Sequence, residues 1–156
     1  MEIAKDFREF FALLNKHNVK YVVVGGYAYA IHARPRFTQD LDIFVETSPV
    51  NAERILTVLQ EFGFGELDIS KEDLLHPEMV IQIGYPPLRI DLLTSISGVS
   101  FSEAWEGRIT VSYGGEQAFF IGKQELMRNK AAIGRTRDLD DLKELSGSEG
   151  EGKAGD

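Results

Sequence analysis

Asp40 and Asp42 open an otherwise apolar run that continues through Ile43, Phe44 and Val45. Alternate residues of a strand point the same way, so the two carboxylates project together while Leu41 and Ile43 face the opposite side. Like charges that close repel each other, and acids set among apolar neighbours need a partner. A hard divalent ion such as Mg²⁺, or Mn²⁺ with the same taste for oxygen, suits that position, because it binds a few carboxylates together with substrate phosphates. Upstream, Gly25 and Gly26 close the apolar run Tyr21 to Val24 and let the backbone approach a phosphate closely. An Asp-x-Asp pair alone is more often a solvated or capping feature. The apolar flank changes that reading: these residues suit a metal-bound nucleoside triphosphate.

Phosphoryl transfer on metal ions calls for a third carboxylate. Asp91 is the candidate, the lone acid in the apolar run Leu88 to Leu93. Adjacent strands lie about 5 Å apart, so Asp91 can reach the same ion if its strand lies beside Leu41 to Val45. The competing expectation pairs Asp91 with Arg89 or Lys130. Arg34, Arg36 and Thr38 lie between the glycines and the acid pair. Arg36 and Thr38, nearer Asp40, are the candidates for touching phosphate or acceptor, against plain solvation. His17, His32 and His76 have no metal-ligand spacing, Trp105 and the phenylalanines read as core, and neither a Walker motif nor a dinucleotide fingerprint is present.

Hydrophobic periodicity supplies the elements that must position these groups. Lys5 to His17 reads as a helix with Phe7, Phe10, Phe11 and Leu14 on one face. Tyr21 to Val24 and Leu41 to Val45 read as strands, with a short helix from Tyr27 to His32 between them, ended by Pro35. Ser48-Pro49 opens a helix whose apolar stripe is Val50, Ile55, Val58, Leu59 and Phe62 and which Gly63 stops. A capped turn from Ser70 to Leu75, strands Met79 to Ile83 and Leu88 to Leu93, and a helical turn from Phe101 to Trp105 follow. Gly114-Gly115 marks a hairpin between Ile109 to Tyr113 and Gln117 to Ile121. Two helices, Lys123 to Ile133 and Arg137 to Leu145, come last. The first is expected to dock through Leu126, Met127, Ala131 and Ile133. The fold class is α/β of the α+β type, in one domain over residues 1–145. The Gly, Ser and charge composition of 146–156 predicts a disordered tail.

Composition narrows the function classes. The 156 residues include no cysteine, which excludes disulfides, thiolate metal sites and thiol nucleophiles. No apolar stretch approaches the roughly 18 residues of a membrane span, and the N-terminus does not read as a signal peptide, so a cytoplasmic location without membrane contact is expected. The net charge of -8 argues against broad electrostatic binding of nucleic acid. Clustered active-site acids account for part of that charge, and a bound metal ion would reverse the field locally, so a nucleotide or RNA substrate stays open.

Gly25-Gly26, thirteen intervening residues, Asp40-Leu41-Asp42 and a later strand bearing Asp91 resemble the minimal nucleotidyltransferase fold of the DNA polymerase beta superfamily. That superfamily includes kanamycin nucleotidyltransferase and abortive-infection nucleotidyltransferase toxins, and the resemblance covers residues 19–145. It implies a small mixed sheet flanked by helices. It also implies Asp40 and Asp42 as metal ligands, Asp91 as third ligand or general base, and Gly25 and Gly26 at the triphosphate. The segment Lys123 to Leu142 resembles the toxin-like branch, in which a Lys on one helix and an Asp on the next complete the site. Lys130 and Asp138 hold those positions, with Lys130 expected to face the cleft of the three acids and Asp138 to support it. Many members place Ser after the first Gly; Gly26 removes that hydroxyl but keeps the backbone donors. The implied activity is transfer of a nucleoside monophosphate from an NTP to an acceptor hydroxyl with release of pyrophosphate. A tRNA or protein acceptor and an antitoxin partner go with the toxin-like branch; a degenerate module that only binds nucleotide is the alternative.

Overall fold

Short runs of valine, isoleucine, leucine, tyrosine and phenylalanine pack well on a pleated surface, and they form the strands here. The computed structural model describes residues 2–65, 67–85 and 88–155, with the side chains of 2–4, 88 and 148–155 outside the description. Strands β1 (Tyr21–Val24), β2 (Asp40–Val45), β3 (Val80–Tyr85), β4 (Leu88–Leu93), β5 (Ile109–Tyr113) and β6 (Glu116–Phe120) form one sheet in the order β3-β4-β2-β1-β6-β5. The sheet is mixed: β2 runs antiparallel to β1 and parallel to β4, while β1 runs parallel to β6. Helices α1 (Glu2–Lys16), α2 (Gly25–His32), α3 (Pro49–Leu59), α4 (Lys71–Leu75), α5 (Phe101–Glu106), α6 (Lys123–Ile133) and α7 (Thr136–Gly155) complete the chain.

Helix α1 buries Phe7, Phe10, Phe11 and Leu14 in the core with Tyr21, Val23 and Ile43 of the sheet. The Ser48 side chain caps α3 at the Asn51 N–H, with Pro49 opening the helix, and Ile55, Val58 and Leu59 are buried. Val50 does not join that stripe: it is 57% exposed, because the first turn of α3 turns Asn51 inward instead. The Asn51 side chain accepts from the Lys20 N–H (2.8 Å) and donates to the carbonyls of Lys20 (3.1 Å) and Glu46 (2.9 Å). It thereby serves backbone groups at the start of β1 and just past the end of β2, which a valine could not do. Past α3 the chain makes a π-helical turn, Gln60–Phe64, and Gly63 at φ 100° breaks the helical path.

One departure concerns α6. Of the four apolar residues expected to dock α6, Leu126 is buried and Met127 half-buried, but Ala131 and Ile133 are exposed. Asn129 and Lys130 are buried in their place, and Asn129 donates to the Ser97 carbonyl at 2.9 Å. Helix α7 spans Thr136–Gly155. The side chains beyond Gly147 lie outside the described residues. Among the described residues, no helix is long and apolar enough to cross a membrane.

Candidate active site

Register brings the strand acids together. Val24, the last residue of β1, pairs with Asp42, and Asp42 pairs with Asp91 across the parallel β2–β4 ladder. Directly opposed residues share a face of the sheet, so Asp40, Asp42, Arg89 and Asp91 all project to the same side. Burial comes first, then the charges of Asp91 and Asp40, in pushing the Asp42 carboxyl from 3.8 up to about 7; Arg89 opposes the shift. The Arg89 guanidinium lies between the other two acids, with its Nε 3.3 Å from Asp91 Oδ1 and 3.5 Å from Asp40 Oδ1. The pairing of Asp91 with Arg89 is therefore present alongside the clustering of the acids. Asp40 Oδ1 is nonetheless buried without a hydrogen-bond partner.

The glycine turn sits against these groups. Gly25 has φ 70°, a left-handed conformation that disfavours any side chain, and it begins α2 directly after β1. A Cβ at Gly25 would run into Asp42 Oδ2, and one at Gly26 would come within 2.7 Å of Thr38 Oγ1. The two glycines thus let the first turn of α2, with its unpaired N–H groups, lie beside Asp42 and Thr38. Thr38 Oγ1 donates to the Arg36 carbonyl at 3.3 Å, and the Tyr27 hydroxyl donates to the Thr38 carbonyl at 3.4 Å, which holds the approach to β2.

The remaining candidates gather in a second cluster of charges. Lys130 turns to α7: its ammonium lies 2.9 Å from Asp141 Oδ2 and 3.5 Å from Asp138 Oδ1. These, rather than the strand acids expected for it, are its carboxylate partners. Asp138 and Asp141 are three residues apart on one helix face and both are buried, so they offer a buried ammonium two nearby charges. Arg36 forks onto the same Asp141 at 2.6 and 3.0 Å and stacks over the Tyr29 ring, 4.0 Å from its centre. Arg135 forks onto Asp138 at 2.6 and 3.2 Å. Burial works against the Asp141 charge, but the hydrogen bonds from Arg36 and Lys130 prevail and hold its carboxyl below the usual range; Arg135 does the same for Asp138. Arg34 lies 3.6 Å from the exposed Glu144 and near the Tyr29 hydroxyl, away from the strand acids. Sequence reasoning passed over Asp141, although its spacing from Asp138 marks a shared helix face.

Does the acid cluster suit a divalent ion? Among the described residues, no three His, Cys, Asp or Glu side chains enclose a metal position. Mg²⁺, however, is commonly bound through one or two carboxylates, with phosphate oxygens and water completing its shell. Asp42 and Asp91 in register, Asp42 reluctant to ionise among its neighbours, and Asp40 Oδ1 without a hydrogen bond make a hard-oxygen set that fits such an ion.

A small mixed sheet with a glycine turn facing strand carboxylates defines a nucleotidyltransferase fold. Residues 3–154 match the family model described as nucleotidyl transferase of unknown function (DUF2204), and the chain belongs to that family. No curated protein matches it. The fold is similar to that of a Thermotoga maritima protein assigned as a nucleotidyltransferase, with TM-score 0.62 and 16% identity over 91% of each chain. It is similar also to an antigenic nucleotidyltransferase-like protein from Paracoccidioides brasiliensis, with TM-score 0.57 and 14% identity over 93% of this chain and 76% of that one. A third likeness is to the antibiotic-resistance factor ANT(2'')-Ia in complex with adenylyl-2''-tobramycin, with TM-score 0.58 and 11% identity over 98% of this chain and 92% of that one. Family and fold together support nucleotidyl transfer as the general activity.

Proposed function

We propose that the chain transfers a nucleoside monophosphate from an NTP to an acceptor hydroxyl, at the strand carboxylates Asp40, Asp42 and Asp91. The observation that carries this reading is the pairing of Asp42 with Asp91 in register beside the Gly25 turn. A divalent ion such as Mg²⁺ or Mn²⁺, held by these acids and by phosphate oxygens, supplies positive charge to the attacking and leaving oxygens when bound. The N–H groups of the α2 first turn approach the triphosphate where only glycine fits. Asp91 takes the proton of the acceptor hydroxyl as its oxygen attacks the α-phosphorus. The bond from that phosphorus to the bridging oxygen breaks, and pyrophosphate leaves. Thr38 faces the glycine turn and contacts the phosphates. Lys130 and Arg36 add positive charge at the cleft rim, held in place by Asp141, with Asp138 securing Lys130.

The acceptor proposed from the toxin-like resemblance is a tRNA or protein hydroxyl, with an antitoxin as regulatory partner. Incubation with Mg²⁺ and each NTP in turn, reading pyrophosphate release and label on tRNA or protein, tests the reaction. Release that depends on Mg²⁺ and disappears in Asp91→Asn is the expected result. One observation favours a second reading: Arg89 already places a cation between Asp40 and Asp91, as a module that binds nucleotide without transferring it would retain. NTP binding without pyrophosphate release would establish that module instead.

A further inference from the structure

A cavity of about 610 Å³ opens at the other end of the sheet from the carboxylates. Its walls include Lys20, Arg54, Trp105, Arg108, Glu116 and Phe119. Lys20 immediately precedes β1, whereas Val24, beside Asp42, ends it. At about 3.3 Å per residue, that places Lys20 roughly 13 Å along the strand from the level of the acid pair. The cavity size falls within the ~300–1,000 Å³ of small-molecule sites.

Charge sets this cavity apart from the rest of the molecule. In a chain of net charge -8, three cations and one acid line it. Among the described residues, neither Arg54 nor Arg108 has a carboxylate within ion-pair distance. Arg54 spends one donor on the Asn18 carbonyl at 3.1 Å, and Arg108 one on the Trp105 carbonyl at 2.6 Å. The Arg108 guanidinium is further fixed over the Trp105 ring, 3.6 Å from its centre, and 5.1 Å from that of Phe119. Lys20 lies 3.8 Å from Glu46 and 5.7 Å from the centre of the Trp105 ring. The acid, Glu116, is engaged by the Asn15 amide at 3.1 Å. An arginine pre-positioned on an aromatic face, with donors to spare and a second arginine lining the same cavity, is suited to a tetrahedral oxyanion.

We infer that this cavity is a second binding site, separate from the carboxylate cluster, for the phosphate group of a nucleotide or of a nucleic-acid strand. Arg54 and Arg108 hold the phosphate and Lys20 adds charge at the rim. The inference does not depend on the proposed transfer reaction.

Trp105 is the only tryptophan in the chain, so its fluorescence reports on this cavity directly. The full chain is titrated at constant ionic strength with inorganic phosphate, with AMP and with a six-nucleotide single-stranded RNA. A saturable change in Trp105 emission is expected, weakened about tenfold in Arg54→Gln, the loss of one charge-assisted contact. Asp42→Asn, which alters only the carboxylate cluster, should leave the titration unchanged. RNA binding tighter than AMP identifies a strand as the source of the phosphate; equal or weaker binding identifies the nucleotide. The inference fails if no ligand gives a saturable change, if chloride alone reproduces it, if Arg54→Gln titrates as the wild type does, or if Asp42→Asn abolishes the signal.

Discussion

Two clusters of charge contain the residues picked out for chemistry, and they are balanced in opposite ways. Around β2 and β4, three aspartates have Arg89 as their cation, which reaches Asp91 at 3.3 Å and Asp40 at 3.5 Å, and Asp42 is pushed up to about 7. Between α6 and α7, two aspartates receive three cations, Arg36, Lys130 and Arg135, and both carboxyls are held down. The first cluster keeps an excess of negative charge, whereas in the second every carboxylate is met by two cations. Uncompensated like charges destabilise the empty fold and are relieved by a cationic ligand, which is the signature of a site. Compensated buried charges instead resist being taken apart, which is the signature of a clamp.

The largest expected effect comes from the uncompensated cluster. Asp91→Asn keeps shape and polarity while removing the proposed base, so the transfer rate should fall by about 10²–10⁴-fold, read as pyrophosphate release, with Tm unchanged. A variant that unfolds would move Asp91 to the structural side of the comparison.

Next comes the clamp. Asp141→Ala leaves the buried Lys130 with Asp138 alone and the half-buried Arg36 without its carboxylate, a loss of up to about 3–5 kcal/mol, to be seen in thermal or urea unfolding. If stability is unaffected, the clamp is not what holds α7 to the body.

A smaller effect separates the clusters by pH. Asp42 titrates higher in the folded state than its ordinary 3.8, so the native state holds an extra proton between there and about 7. Without divalent ions its contribution to stability therefore falls as pH rises through that window, and the destabilisation is complete above about 7. Asp42→Asn should flatten that slope and raise Tm at pH 8 by roughly 2–4 °C for each 1 kcal/mol relieved. Asp138 and Asp141 have lowered values, so their stabilisation is present above the ordinary carboxylate range and is lost as pH falls through their folded values. The two clusters should thus be weakened at opposite ends of the pH scale. Smallest of all, Arg34→Ala removes the exposed contact to Glu144 and should leave Tm indistinguishable from wild type.

The sequence by itself determined the local elements and the two strands that carry the acids. Alternation in Leu41 to Val45 and Leu88 to Leu93, helical spacing in Phe7 to Leu14, the Ser48-Pro49 start and the Gly114-Gly115 hairpin are all set by contacts near in the chain, which periodicity and turn chemistry report. Gly25-Gly26 was legible as a close approach, though not that Asp42 and Thr38 are what approach it. The tertiary structure alone decided the partners. Lys130 meets Asp138 and Asp141 because α7 folds back over α6 and Tyr29, and an ammonium so buried must take the carboxylates that this docking brings. Val50 turns outward because Asn51 is needed to serve the backbone at the ends of β1 and β2. Arg54 and Arg108 are 54 residues apart in sequence and reach one cavity only through the packing of α3 and α5 at one end of the sheet. Periodicity fixes which face of an element is apolar, but the pairing of charges across elements depends on distances that exist only once the chain has closed on itself.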